Sequence, residues 1–145
     1  MPEDSLVHFA DEVSKLMPDI LREFLKRQAR EVAQGNVTLP QILILDALKD
    51  KTYARMGELA KYLSVSMAAT TGIADKLVRN GLARRTGSPD DRRIVNISIT
   101  AKGKKIIEKY NQARYRAIME MFGGLSSSDR DKYLQILSKI HNRIK

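Results

Sequence analysis

The chain has 145 residues, 43% of them apolar and 30% charged, which suits one globular domain with a core and excludes general disorder. It contains no cysteine, so disulfides, thiolate zinc sites and cysteine-based redox sensing are excluded. The net charge is +9, the start is acidic, and no apolar run approaches about 18 residues; we therefore expect no secretory signal, no membrane span and a cytoplasmic location.

The first predicted element is a long amphipathic helix from about Leu6 to Val32. Pro18 should break or kink it, because proline lacks an amide proton and clashes with the preceding turn. Gln34-Gly35-Asn36 should end it, since these residues tolerate a left-handed conformation. The apolar stripe is too broad and too N-terminal to be covered by the helix-turn-helix described below, so we expect part of it to meet a partner subunit. Its members recur at helical spacing: Phe9, Val13, Leu16, Met17, Ile20, Leu21, Phe24 and Leu25.

A second helix should begin at Thr38-Leu39-Pro40-Gln41, which has the sequence of a capping box. The Thr38 hydroxyl can accept from the Gln41 amide while the Gln41 side chain reaches back, and Pro40 needs no donor in a first turn. The apolar run at 42–45 makes this the central core helix, which is predicted to continue to Asp50. Residues 51–55 then form a link that contains one short strand.

Residues Met56 to Asn80 predict two short helices joined by a tight polar turn, which is a helix-turn-helix. Ser64-Val65-Ser66 interrupts the apolar stripe, and Ser66 suits the N-cap of the second helix. The inward stripe consists of Leu59, Ala60, Leu63, Thr70, Ile73, Ala74, Leu77 and Val78. The outward face of the second helix carries Met67, Ala68, Thr71, Gly72, Asp75, Lys76 and Arg79, of which only Asp75 is acidic.

A β-hairpin should follow the second of these helices, which Asn80-Gly81 ends. Residues 82–86 predict one strand, the turn-forming residues 87–91 reverse the chain, and residues 92–99 predict a second, half-buried strand. Arg92 and Arg93 lie at the tip. The hairpin is therefore a wing with a basic tip.

Two further helices complete the predicted order. The first starts at Thr100-Ala101-Lys102-Gly103 and ends at Gly123-Gly124. Ser126-Ser127-Ser128-Asp129 is a second capping box. The last helix carries an apolar stripe made of Tyr133, Ile136, Leu137, Ile140 and Ile144.

Positive charge is concentrated between Lys76 and Lys105, where nine Lys or Arg minus two acids give a net of +7. A solvated basic face is the ordinary meaning of such a cluster. Next to a helix-turn-helix it favours a phosphate-binding surface instead. The alternative is a winged helix that binds another protein, and the basic wing argues against it.

Double-stranded DNA is therefore the predicted partner. The second helix can enter the major groove, about 12 Å wide, while arginines on the wing can reach the minor groove, where negative potential attracts them. Hydroxyls and amides at the helix start suit a phosphate. The predicted DNA-binding residues are Ser64, Ser66, Met67, Ala68, Thr71, Gly72, Lys76, Arg92 and Arg93.

The sequence offers no enzymatic constellation. His8 and His141 lie near opposite ends of the chain on amphipathic helices, where a lone histidine is more often a surface or interface residue than a base. Asp90 and Asp91 are adjacent in a proline-containing turn, where carboxylates are turn formers. No glycine-rich phosphate loop or Gly-x-Ser-x-Gly elbow occurs. We predict no catalytic residue, no metal site and no cofactor.

The run LAKYLSVSMAATTGIADKLVRNGLARRTGSPDDRRIVNISITAKG, from Leu59 to Gly103, closely resembles the signature of the multiple antibiotic resistance regulator (MarR) family of winged-helix transcription factors. Its most specific part is Asp91-Arg92-Arg93, followed by a strand and Ile99-Thr100-Ala101-Lys102-Gly103. The resemblance implies a mainly α fold with a small β-hairpin wing (α+β), and a role for Asp91 in orienting Arg93 into the minor groove.

The same resemblance implies one domain over residues 1–145 that forms a homodimer. Helices at about 4–34 and 101–145 would interleave with those of a second copy, and residues of about 38–100 would form the winged helix-turn-helix lobe. Such a homodimer would be a repressor that binds a pseudo-palindromic operator.

Departures from the family pattern narrow the mechanism. Gly72 stands where relatives often carry a larger, base-contacting side chain. Peroxide sensing through an N-terminal cysteine is excluded, and two distant histidines do not make a zinc site. By resemblance, the chain responds to a small phenolic or otherwise amphipathic effector lodged between the dimer helices and the lobe, or to no effector at all, as in an effector-independent DNA-architectural module.

Overall fold

Six helices and three short strands make up this computed structural model, which describes residues 2–32 and 37–145, with side chains for 5–30 and 37–145. The mainly helical fold with a small antiparallel sheet confirms the predicted fold class. In chain order the elements are α1 (Pro2–Val32), α2 (Leu39–Leu48), β1 (Ala54–Arg55), α3 (Met56–Leu63), α4 (Met67–Arg79), β2 (Ala83–Gly87), β3 (Val95–Ile99), α5 (Ala101–Phe122) and α6 (Ser127–Ile144).

The chain divides into two compact units. One, which we call the terminal-helix unit, consists of Met1–Arg30 and Ala113–Lys145, and the other, which we call the lobe, is Glu31–Gln112. The division falls within α5, so the first half of this helix belongs with the lobe.

The predicted first helix is present but longer and unbroken. α1 begins at Pro2 and continues through Pro18, so of the predicted break or kink at this residue the break is wrong. A proline inside a helix removes one hydrogen bond and costs about 3 kcal/mol, which a helix of this length can absorb. The predicted end at Gln34-Gly35-Asn36 lies outside the described residues.

The core of the lobe is built around α2, as predicted. Both halves of the capping box form, because the Gln41 amide donates to Thr38 Oγ1 at 3.4 Å and the Thr38 amide donates to Gln41 Oε1 at 3.1 Å. The helix ends at Leu48, two residues before the predicted Asp50. The side chains of Ile44, Leu45 and Leu48 are fully buried in a cluster that includes Leu59, Leu77 and Ile97.

The three strands form an antiparallel sheet in the order β1-β3-β2. Ile97 pairs with Ala54 on one side and with Arg85 on the other, and its side chain is fully buried. The second wing strand begins at Val95, so the prediction that it includes Arg92 and Arg93 is wrong. Both arginines lie in a loop that is closed by two backbone hydrogen bonds. The Ser88 amide donates to the Ile94 carbonyl and the Ile94 amide donates to the Asp91 carbonyl, both at 3.1 Å.

The corner between β3 and α5 is held by the chain segment that follows α4. Thr100 Oγ1 donates to the Gly81 carbonyl at 2.6 Å and accepts from the Gly103 amide at 3.1 Å. Gly81 has a φ of 73°, which only glycine adopts without strain. Gly103 is buried, and a Cβ added there would lie 2.1 Å from the Leu82 carbonyl oxygen. Backbone contact therefore requires glycine at position 103.

Helices of the terminal-helix unit are joined by a few contacts and leave much apolar surface exposed. Arg27 donates to Glu120 at 2.8 Å and to Glu23 at 2.9 Å, and the rings of Phe122 and Tyr133 stack with centroids 5.1 Å apart. No residue of α6 is buried. Within the described ranges, no helix is both long enough and apolar enough to cross a lipid bilayer.

The predicted second capping box forms only in part. Ser126 caps α6 by accepting from the Asp129 amide at 3.1 Å, and no return bond from the Ser126 amide to the Asp129 carboxylate is present. Aspartate is one methylene shorter than the Glu or Gln of a full capping box, so it does not reach back.

Two glycines provide a matched pair of stability tests. Gly103→Ala should lower the free energy of unfolding by roughly 3 kcal/mol, because the new methyl group meets a backbone carbonyl that cannot move freely. Gly72→Ala should raise it by about 0.5–1 kcal/mol, because Gly72 lies inside an exposed helix with nothing within 4 Å of the added Cβ. Urea unfolding measures both values, and equal changes of either sign in the two variants would contradict this account.

Candidate nucleic-acid interface

The turn between α3 and α4 is fixed by its own backbone and by one side chain. Ser64 adopts the left-handed conformation (φ 55°), and the amides of Ser64 and Val65 donate to the carbonyls of Lys61 and Ala60, both at 3.2 Å. Ser66 then caps α4 by accepting from the Ala69 amide at 3.1 Å. A serine hydroxyl that accepts this bond still has a proton to donate. Ser66 can therefore hold the helix start and donate to a phosphate at once.

The inner face of α4 anchors the helix in the lobe. Thr70, Ala74 and Leu77 have no exposed surface. Burial of the Thr70 hydroxyl is tolerated because it donates to the Ser66 carbonyl at 2.9 Å. The direction of the opposite face is therefore fixed by core packing.

The outer face of α4 is available to a large ligand. Met67, Ala68, Gly72 and Lys76 are exposed, and Lys76 forms no hydrogen bond or ion pair within the described residues. Thr71 Oγ1 donates its proton to the Met67 carbonyl at 2.8 Å. Because its proton is already donated, this hydroxyl can accept a hydrogen bond from a base. The amino group of adenine or cytosine can donate such a bond.

The one acidic side chain on this face is paired. Asp75 Oδ1 lies 2.7 Å from Nη2 of Arg85, which is in β2. The sequence shows Arg85 only as part of the basic cluster and does not reveal this contact, because the two residues lie on different elements. Both charges are compensated, so the outer face presents no free carboxylate.

The wing loop is organised by Asp91. Its carboxylate accepts from the Arg93 amide at 2.9 Å, and it forms a two-bond pair with the guanidinium, Nε to Oδ1 and Nη2 to Oδ2, both 3.2 Å. The hydrogen bonds from the Arg93 side chain and, to a smaller extent, the bond from the Arg93 amide hold the pKa of the Asp91 carboxyl below its ordinary value. Asp91 is therefore ionised at neutral pH, and the pair is lost only when the pH falls through this lowered pKa. The Arg93 side chain is 91% exposed and so remains accessible.

A groove of about 490 Å³ separates the start of α4 from the wing. Its lining consists of Met67 and Thr71 from α4, residues 55–58, and Arg85, Arg93, Ile94 and Val95 from the wing. The start of α4 and the wing therefore border the same groove.

Every predicted DNA-binding residue lies at the surface of the lobe. Seven are on the helix-turn-helix and two are on the wing loop, next to Asp91. Not every cation counted in the basic cluster is available, because Lys102 Nζ donates to the Asn80 carbonyl at 3.0 Å, at the end of α4. The structure thus separates Lys102 and Arg85, which have partners inside the lobe, from Lys76, Arg79 and Arg92, which have none among the described residues.

Comparison with known proteins identifies the family. A family model described as the MarR family matches residues 37–95, which hold α2 to the start of β3. The uncharacterized HTH-type transcriptional regulator YsmB of Bacillus subtilis (strain 168) is 27% identical over 146 residues, covering 100% of this chain and 99% of the relative. The chain is therefore similar to MarR family regulators, over residues 37–95 by the family model and over its whole length by this relative.

Two further relatives agree with this assignment. The HTH-type transcriptional repressor YetL of Bacillus subtilis (strain 168) is 26% identical over 133 residues, covering 92% of this chain and 77% of the relative. The structure of a MarR family protein from Bacillus stearothermophilus is 26% identical, with a TM-score of 0.79 and coverage of 94% and 96%. MarR family proteins are transcriptional regulators and not enzymes, and this chain is similar to them over nearly its whole length.

Asp91→Asn should weaken binding to a DNA duplex by about fivefold, the effect of loosening one hydrogen-bonded contact, because Arg93 is then no longer held by a carboxylate. Fluorescence anisotropy with a labelled duplex measures this change. Asp90→Asn is the matched control, since it removes the same charge from a neighbouring side chain that makes no ion pair among the described residues. Asp90→Asn should not weaken binding, because the loss of a negative charge by itself favours attraction to phosphates. An affinity for Asp91→Asn that equals that of Asp90→Asn would mean that the Asp91–Arg93 pair does not affect binding.

Proposed function

We propose that the chain is a homodimeric repressor that acts in the cytoplasm and binds a pseudo-palindromic operator with two lobes. The observation that supports it best is the outer face of α4, which is exposed, carries Lys76 and Arg79 and has its single acid paired. In this proposal each α4 enters a major groove, and the two grooves are about 34–36 Å apart, one helical turn. Below, α4 is called the recognition helix.

The contacts divide by chemistry. Lys76 and the amides at the start of the recognition helix bind phosphates, with Ser66 donating its hydroxyl proton. Thr71 accepts from a base amino group. Met67, Ala68 and Gly72 bring the recognition helix close to the base edges in the DNA major groove, and Ser64 lies at the edge of this contact. Arg92 and Arg93 reach the minor groove, with Asp91 fixing the direction of Arg93.

Dimerisation is supported by the exposed apolar surface of the terminal-helix unit. On α6, Leu137 is 41% exposed and Ile140 52%, and on α1, Phe9 is 62% exposed. A monomer rarely leaves so many large apolar side chains in water, and a second copy of the chain can cover them symmetrically. The whole chain is then one domain, with the terminal helices as its dimerisation part.

Release by a small phenolic or otherwise amphipathic effector is the further part of this proposal, and the similarity to the MarR family supports it. An effector that prefers one spacing of the two lobes by about 1–3 kcal/mol would change operator affinity about 5- to 150-fold.

Lys76→Ala tests the DNA-binding surface. If Lys76 contacts a phosphate, the variant should bind operator and random duplexes more weakly by the same factor, and the slope of log affinity against log salt concentration should fall by about one. Lys109→Ala, on an exposed part of α5, is the control and should leave the slope unchanged. A wild-type slope near zero would contradict the proposed function and favour a protein-binding winged helix.

Leu137→Lys tests the dimer. A charged side chain on the apolar stripe of α6 should convert a dimer to a monomer at micromolar concentration, because its burial against a second copy would be costly. Gln135→Lys, on the opposite face of the same helix, should remain dimeric. Sedimentation velocity measures both, and a monomeric wild-type protein would contradict the proposal.

A further inference from the structure

The Asp75–Arg85 ion pair joins the recognition helix to the wing. Its two charged atoms lie 2.7 Å apart, and the side chains are 44% and 41% exposed, respectively. Within the part of the chain that the structure describes, no other ion pair connects α4 with β2 or β3. The pair therefore links the two elements that carry the proposed DNA contacts.

Strand register places Arg85 over α4. Arg85 is opposite Ile97 in the sheet, and Ile97 is fully buried. Cross-strand partners share a face of the sheet, so Arg85 is on the side that faces the helices. Arg84 is opposite Ser98 and lies on the other face. Two adjacent arginines with the same charge thus have different surroundings.

Neither stability nor attraction to DNA accounts for Asp75. An exposed ion pair adds little to the free energy of unfolding. A carboxylate on the face that meets phosphates weakens binding unless a cation compensates it. What the pair does control is geometry, because only Thr86 and Gly87 separate Arg85 from the loop that carries Arg92 and Arg93.

We propose that the Asp75–Arg85 pair is a positioning contact that fixes the wing loop relative to the recognition helix, so that both engage an operator together. This inference rests on the proposed function. Operator binding needs both contacts at one fixed separation, whereas binding to random DNA depends on total charge. The pair should therefore set the ratio of operator affinity to random-duplex affinity, and have little effect on random-duplex affinity beyond its charge.

Asp75→Asn separates charge from position. The probes are an operator duplex recovered by selection with the wild-type protein and a random duplex of equal length. Loss of a negative charge should strengthen binding to the random duplex, while the ratio of operator to random affinity falls about tenfold, within the range of couplings between contacting residues. A ratio equal to that of wild type would overturn the inference.

Exchange of the two residues, Asp75→Arg with Arg85→Asp, keeps the net charge and allows the pair to form again. This double variant should recover most of the ratio that Asp75→Asn loses. If it does not fold, the cycle of Asp75→Asn, Arg85→Gln and their combination replaces it, and the combination should lose no more than either single change. Strict additivity of the two losses would overturn the inference.

Arg84→Gln is the matched control for Arg85→Gln, because both remove one positive charge from β2 and only Arg85 pairs with Asp75. Arg84→Gln should weaken binding to both duplexes equally, whereas Arg85→Gln should also lower their ratio. If the wild-type protein shows no operator preference, the proposed function fails. If it shows one that none of these variants alters, only the positioning role fails.

Discussion

The direction of the outer face of α4 is fixed because the opposite side of this helix is buried in the core of the lobe. Thr70, Ala74 and Leu77 have no exposed surface, and the helix cannot rotate without exposing Leu77 or burying Lys76. The same core contains Ile97 of the wing, so helix and wing rest on common side chains. The buried face of α4 thus determines which residues are presented outward and where the wing begins.

The lysines and arginines of the lobe carry the same charge but differ in whether they have a partner within the protein. Lys102 is occupied by a carbonyl at the end of α4, and Arg85 by Asp75. Arg93 is held by Asp91 yet stays exposed, which gives it a direction without hiding it. Lys76 has no partner among the described residues and can meet a phosphate directly. In the proposed function, the paired cations set the geometry of the DNA-binding surface and the unpaired ones supply affinity for DNA.

Features that depend on neighbouring residues could be predicted from the sequence. The caps at Thr38 and Ser66, the turn between α3 and α4 and the inward stripe of α4 follow from residues within about four positions of each other. The Asp75–Arg85 pair could not, because it depends on which face of β2 meets α4. β3 starts later than predicted because the segment with Arg92 and Arg93 forms hydrogen bonds within the loop instead of strand pairs. α1 continues past Pro18 because the loss of one hydrogen bond does not end a helix of this length.

Methylation protection on a selected operator would test the central claim most directly, since dimethyl sulfate reports guanine N7 in the major groove and adenine N3 in the minor groove. A dimer with two recognition helices and two wings predicts two sets of protected guanines about 10–10.5 base pairs apart, each accompanied by protected adenines in the adjacent minor groove. Protection confined to one groove, or a single protected cluster, would contradict the account.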